Sequence, residues 1–221
     1  MTMTYLVFGI ILFYIPMWLQ INLFLSGLGK KKKPVTFIKN SEISKILYKR
    51  ARTKIDTIKI VESDLLFGMM IGIPGNPKLI LSRKLYGTFN KDELEYVILH
   101  EAGHYKLRHS VKELTEGIVL FILGTWILSN FTNLILATLL GLIFGILMIQ
   151  LAKISELEAD NFSVKRMENP KGMITATHKF FKAWKSQDPK SPVIRFLFYR
   201  GNPYKNRIRM ANGEVKRRLQ G

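Results

Sequence analysis

Hydrophobic and polar positions alternate in this chain on two scales, and the coarse one is read first. Tyr5 to Leu25 is an apolar run interrupted by Pro16, Gln20 and Asn22, and Gly117 to Ala152 is a second apolar block. The first run is about 21 residues long and, at about 1.5 Å per residue, crosses a hydrocarbon core of about 30 Å, so it reads as a spanning helix. A secretory signal is the competing reading, but no positive n-region and no small-x-small site precedes the lysine run that follows. The second block is over about 50 Å as one straight helix, too long for a single crossing. Ser129-Asn130-Phe131-Thr132-Asn133 is a turn-prone cluster near its middle. Two spans joined by a tight turn follow, roughly Leu114 to Ser129 and Leu134 to Ala152.

At the fine scale, Ile43, Ile46, Leu47, Ala51 and Ile55 recur at three-four spacing behind Ser41, which predicts an amphipathic helix over Ser41 to Lys54 with Ser41 as its cap. Asp56 to Glu62 alternates, Leu66 to Ile73 is an apolar run closed by Pro74-Gly75-Asn76-Pro77, and Lys78 to Ser82 follows that turn. All three read as strands. Asn90 with Glu93 three positions on marks a capped helix start, and Leu94, Val97, Ile98, Glu101, His104, Tyr105 and Arg108 continue one face. Asn169-Pro170 opens a further helix whose buried stripe is Met173, Phe180, Phe181 and Trp184. A basic helix weakened by Gly213 follows Pro203. No internal repeat or low-complexity segment is visible.

Composition enters here because it changes the class. Hydrophobic residues are 48% and charged residues 23% of 221, with a formal net charge of +18. On those figures alone a soluble nucleic-acid-binding domain would be the first guess. The charges are segregated, however: residues 1–29 hold none, residues 114–152 hold only Glu116, and the Lys and Arg fall as 18 in residues 30–113 and 16 in residues 153–221. The chain therefore divides into an N-terminal transmembrane helix (1–29), a basic aqueous segment with a small sheet (30–113), a transmembrane hairpin (114–152) and a second basic aqueous segment (153–221). Lys30 to Lys33 directly after the first span puts both aqueous segments on the cytoplasmic side of a multi-pass membrane protein. Anionic lipid headgroups account for most of the charge, at about 1 kcal/mol per basic residue near the surface, and no nucleic-acid partner is called for. With no cysteine, thiol catalysis and Cys-ligated zinc are excluded, and any metal is held by His, Asp or Glu.

His100-Glu101-Ala102-Gly103-His104 lies inside the capped helix. A spacing of four puts both imidazoles on one face, where they can bind a single zinc, and Glu101, rotated by about 100°, reaches a water on that metal. Zinc lowers the pKa of such a water from near 15.7 towards about 7, and the carboxylate takes its proton as it attacks a peptide carbonyl. Gly103 costs about 1 kcal/mol relative to Ala in a helix interior, which points to close approach by another group. A catalytic zinc has three protein ligands and an open position. The third is sought in Ser155-Glu156-Leu157-Glu158-Ala159-Asp160, where Glu156 and Asp160 share a face and Glu158 points elsewhere; on spacing alone all three carboxylates stay in play. His109, read as too far along the same helix to turn onto the metal, and His178, in a basic amphipathic helix, read as surface or satisfied histidines.

Phe89 to Leu99 leading into His100-Glu101-Ala102-Gly103-His104, the hairpin directly after it, and Glu156-Leu157-Glu158-Ala159-Asp160 at its exit resemble the integral-membrane zinc metalloproteases that include bacterial HtpX and the CAAX prenyl proteases. The resemblance implies a zincin-like domain, mainly α with a small β-sheet (α+β), fused to three transmembrane helices. It implies one zinc per chain on His100, His104 and Glu156, Glu101 as general base, and Asp160 steadying His100 or His104. It also implies a proline-bounded edge strand, matched by Leu79, Ile80 and Leu81, on which a polypeptide substrate lies by strand addition. Many members carry His-Pro near the C-terminal end, followed by an Arg, the His steadying the oxyanion. Here Gly201-Asn202-Pro203 stands at that place, with Asn202 for the His and Arg207 one residue closer. Asn retains a donor for an oxyanion. The expected activity is hydrolysis of peptide bonds in membrane-associated or misfolded proteins. The alternative is a weak or inactive metalloprotein serving as a scaffold; retention of Glu101 argues against it, since a structural zinc needs no base.

Overall fold

The computed structural model describes residues 34–72, 75–130, 134–183, 191–198 and 201–220. In chain order these form β1 (Val35–Ile38), α1 (Ser41–Ala51), β2 (Ile58–Val61), β3 (Gly68–Ile71), β4 (Lys78–Ser82), α2 (Arg83–Thr88), α3 (Lys91–Lys106), α4 (His109–Asn130), α5 (Leu134–Arg166), α6 (Lys171–Ala183), α7 (Pro192–Phe198) and α8 (Tyr204–Gln220). The fold is mostly helical with a small mixed sheet, as expected. The expected span Tyr5 to Leu25 and Trp184 lie outside the described residues.

Local chemistry sets the helix boundaries. Asn40, not Ser41, caps α1: its side chain accepts from the amides of Glu42 and Ile43, both at 3.1 Å. Asn90 and Glu93 form a reciprocal capping box at the start of α3, at 2.8 and 2.9 Å, satisfying two of the amides that a helix start leaves unpaired. At its other end, α3 stops at Lys106. Arg108 adopts a left-handed φ of 56°, so α4 starts in a new direction instead of extending α3.

The sheet order is β1-β2-β4-β3, with β2 and β4 parallel and the other neighbours antiparallel. This corrects one expectation. Leu79, Ile80 and Leu81 lie on an interior strand paired on both sides, because β4 runs back antiparallel beside β3 while β2 takes its other flank. The edge next to α3 is β3. The turn from β3 to β4 needs glycine at its entry: Gly72 has a φ of 132°, and a β-carbon there would sit 2.2 Å from the Asn76 carbonyl oxygen. Strand β1 and helix α2, each six residues or fewer, were not legible as elements because so short a run carries no usable period.

Helix α3 is the hub of the fold, packing on α1, α5, α6 and β3. Ile98, Leu99 and Ala102 from it, Leu79 and Leu81 from β4, Leu47 from α1 and Met173 from α6 are buried in one core. Close approach occurs at Gly103, where a β-carbon would lie 3.2 Å from Ala159 Cα and Phe162 Cβ of α5. Helices α4 and α5 pack on each other, with Gly117 facing Met148 and Gly124 facing Phe144. Their outer faces expose Ile122, Trp126, Leu139, Leu142 and Ile143. Among the described residues, one stretch, Leu139–Arg166, is by length and composition able to cross a membrane.

Two glycines give opposite stability expectations. A β-carbon at Gly172 would lie 2.5 Å from the Asp92 carbonyl oxygen, a backbone atom that cannot swing away, whereas Gly213 faces open space inside α8. Gly172→Ala should destabilise by about 1–3 kcal/mol through overpacking, and Gly213→Ala should stabilise by up to about 1 kcal/mol through helix propensity. Thermal unfolding of the two variants in parallel tests both signs.

Candidate metal centre

His100 and His104 come from successive turns of α3, and Glu156 comes from the turn of α5 that crosses them. The ligating atoms of the three lie within 4.8 Å of one another. His100 Nε2 is 3.1 Å from His104 Nε2, and each nitrogen is 3.6 Å from an oxygen of Glu156. A tetrahedral ion with bonds of about 2.0–2.1 Å holds its ligand atoms about 3.3 Å apart. The three side chains therefore match a zinc-sized ion in donor type and spacing.

The carboxylates left open by spacing separate here. Asp160 is fully buried behind His100 and accepts four hydrogen bonds: from Tyr96 Oη at 2.7 Å and His100 Nδ1 at 2.8 Å on Oδ1, and from Asn202 Nδ2 and Arg207 Nε, each at 2.8 Å, on Oδ2. Burial alone would raise its pKa, but Arg207 and His100 outweigh that and hold it well below the usual carboxylate range. Burial opposes charge on the His100 ring, but the permanent anion at Oδ1, with Glu156 and Glu101, outweighs it and raises the ring to about 9; the proton on Nδ1 is held by Asp160, so a metal ion would take Nε2. Glu158 turns away from the trio to His109, at 2.9 Å.

Asn202 and Arg207, the two residues expected near an oxyanion, both line the cleft. The Asn202 amide nitrogen donates to Asp160 and, at 3.4 Å, to the Met210 sulfur, so its amide hydrogens are engaged within the protein. Arg207 Nη2 lies 3.5 Å from Glu156.

Glu101 stands on the opposite flank of the two histidines, facing β3. Burial pushes its pKa up to about 7, against the opposing pull of His100 and of a hydrogen bond from the Met70 backbone. A β-carbon at Gly68 would lie 2.9 Å from Val97 Cγ1, so glycine lets the edge strand lie close over α3 beside this carboxyl. The cleft above is about 330 Å³ and is walled by Leu66, Phe67, Val97, Phe180, Phe181 and Tyr204 around His100, Glu101 and Arg207.

Two participants escaped the sequence reading. Tyr96 lies one turn before His100 on the same face of α3, and only the fold shows that its hydroxyl reaches Asp160. His109 stays outside the trio, but the helix ends at Lys106 and the Arg108 turn swings it back, so that its Nδ1 lies 2.8 Å from His104 Nδ1. Of the two readings offered for it, surface or satisfied, the second holds: it is 1% exposed with both nitrogens paired. His178 is far from this cluster in function: its Nδ1 pairs with the Tyr204 hydroxyl at 2.7 Å.

The model of peptidase family M48 matches residues 45–214, which include every residue of this centre. Seven solved chains match significantly. One is the crystal structure of S. mikatae Ste24p, with a TM-score of 0.62 at 17% identity, over 90% of this chain and 57% of that one. The likeness is one of fold, and this chain spans little more than half of that protein. No curated protein sequence matches. With more than half of its length matched by that model, the chain belongs to peptidase family M48, and so to the metallopeptidases.

Proposed function

We propose that the protein is a multi-pass membrane zinc endopeptidase whose cleft opens at the cytoplasmic membrane surface and cuts polypeptide segments presented there. One observation carries the reading: two imidazole nitrogens and a carboxylate converge at 3.1–3.6 Å beside a second, buried carboxyl that does not join them. That combination supplies three ligands and a separate base, where a structural site would close with a fourth ligand.

In this reading His100, His104 and Glu156 hold one zinc, which when bound supplies Lewis acidity to polarise a carbonyl and acidify a water. Glu101 takes the proton of the attacking water and passes it to the departing amide nitrogen. Arg207, anchored through Nε on Asp160, sets positive charge beside the developing oxyanion. Asp160 and Tyr96 hold His100 in register. The substrate lies extended along β3, whose outer edge has no strand partner among the described residues. The apolar cleft wall then selects hydrophobic side chains next to the cut bond.

Membrane placement rests on the continuity of α5. The same 33-residue helix, about 50 Å long, carries the apolar stretch and Glu156. Exposed Ile154 and Leu157 flank Glu156, and exposed Val111 and Leu114 follow His109. Apolar surface thus reaches the depth of the centre itself, with Lys112 and Lys153 at headgroup level. With the segment Tyr5 to Leu25 as a further crossing, the protein has three spans, domains divided as 1–29, 30–113, 114–152 and 153–221, and its basic face against anionic lipid.

Three outcomes are expected. Purified protein should carry about one zinc per chain, and Glu156→Ala should lose it; zinc retained by Glu156→Ala but lost by Asp160→Ala would overturn the ligand choice. Glu101→Gln should keep zinc while cleavage of an unfolded protein substrate falls by about 10²–10⁴ or more, and undiminished cleavage would remove Glu101 as the base. In this cysteine-free chain, a single cysteine at Asn130 should react with a membrane-impermeant thiol reagent in sealed cells. Cysteines at the exposed positions Ser110 and Lys165 should react only after permeabilisation; labelling of either in sealed cells would reverse the topology.

A further inference from the structure

We propose that His109 is a positioning residue that, with Glu158, locks His104 in the one tautomer able to bind metal. The proposal rests on the zinc reading above and concerns a group that touches neither metal nor substrate. Its basis is a continuous chain of three contacts. Glu158 Oε2 is 2.9 Å from His109 Nε2, and His109 Nδ1 is 2.8 Å from His104 Nδ1. The chain ends at His104 Nε2, which faces His100 Nε2 at 3.1 Å.

With His109 neutral, donor and acceptor roles along it run in one direction. A carboxylate only accepts, so His109 must present Nε2–H to Glu158. Lys112 Nζ, 3.5 Å from the same oxygen, favours the ionised form. A neutral imidazole with its proton on Nε2 has only a lone pair on Nδ1. The Nδ1 of His104, 2.8 Å away, must therefore be the donor, and that leaves Nε2 of His104 as a lone pair aimed at the centre. Asp160 does the same for His100 from the other side. The two Nε2 atoms then face each other across 3.1 Å beside the Glu156 carboxylate, where a shared cation would be held by all three.

The relay also accounts for two otherwise unexplained features. Arg108 holds a left-handed φ between two helices, a conformation unfavourable for a residue with a β-carbon, and its effect is to return His109 onto His104. His109 is a polar ring at 1% exposure, a burial tolerated only where both nitrogens are paired. Because α4 begins at His109, the first residue of the hairpin is itself the support of a ligand.

The test uses the purified full-length chain in lipid nanodiscs, with zinc affinity read by competition against a fluorescent chelator. Leu and Asn have nearly the same shape, but only Asn presents an acceptor oxygen where His109 Nδ1 stands. His109→Leu should weaken zinc binding by about 10–100-fold, the usual size of a lost outer partner, and His109→Asn should stay within about threefold of wild type. Equal losses in Leu and Asn would reduce His109 to packing, and no loss in either would remove it from the centre; both overturn the proposal. Glu158 is 43% exposed on its side chain, so its replacement threatens folding little. Glu158→Leu should weaken zinc binding severalfold and Glu158→Gln, which keeps an acceptor, should not; equal affinities for the two would also overturn it. Cobalt loaded in place of zinc should give a visible spectrum that changes in His109→Leu and not in His109→Asn. Failure of the wild-type protein to bind zinc would instead overturn the zinc reading, a distinct result.

Discussion

Everything about this centre depends on how closely α5 crosses α3. Potential metal ligands from two helices reach one point only if the backbones nearly touch, and Gly103 against Ala159 and Phe162 provides that contact. The crossing places Glu156 over the two histidines and Asp160 behind the first. Burying an anion such as Asp160 is costly unless it is paired and hydrogen-bonded. Four donors meet that requirement, and two of them, Asn202 and Arg207, come from the far C-terminal part of the chain. Asp160 is thus the point at which α3, α5 and α8 are tied together.

The chemistry of the centre was largely readable in sequence, because it is local. The His-x-x-x-His spacing, the capping box at Asn90 and the shared face of Glu156 and Asp160 each depend on a few residues within one helix, although only the resemblance chose Glu156 over Asp160 as the ligand. What was not readable involves contacts set by where a helix stops. One backbone angle at Arg108 decides whether His109 points away from His104 or onto it, and no periodic pattern encodes it. The sheet failed for a related reason. Alternation identified β2, and an apolar run with the turn after it identified β3 and β4, but which of them lies at the edge is set by crossover order, which the composition of a strand does not carry. Only the resemblance assigned the edge to Leu79, Ile80 and Leu81, and the topology assigns it to Gly68–Ile71.

Asn202 shows where resemblance and geometry diverge. A residue standing in place of an expected catalytic histidine invites the same role, and Asn has the donor for it. Its two amide hydrogens are already committed to Asp160 and Met210, and rotating it outward would strip a donor from a buried anion. The same constraint applies to Arg207, but less severely, since a guanidinium has five N–H groups and spends one at Nε on Asp160. The remainder can face the cleft. In the proposed reading, charge stabilisation therefore falls to Arg207, a cation anchored on Asp160.

The rigid continuity of α5 carries a last consequence for substrates. A ligand on a flexible loop would let the centre move relative to the bilayer, but Glu156 lies on the same helix as the apolar stretch, fewer than two turns beyond Ala152. In the proposed membrane reading, the depth of the centre is therefore tied to the membrane boundary. Exposed Ile154 and Leu157 on either side of Glu156 would be unfavourable in bulk water and favourable at an interface. A polypeptide reaching the β3 edge must then be extended and close to the lipid surface. Selection in this reading acts on where a segment sits and whether it is unfolded there, with the apolar cleft wall adding a preference for side chains, because a stably folded substrate has no free strand to lay along β3.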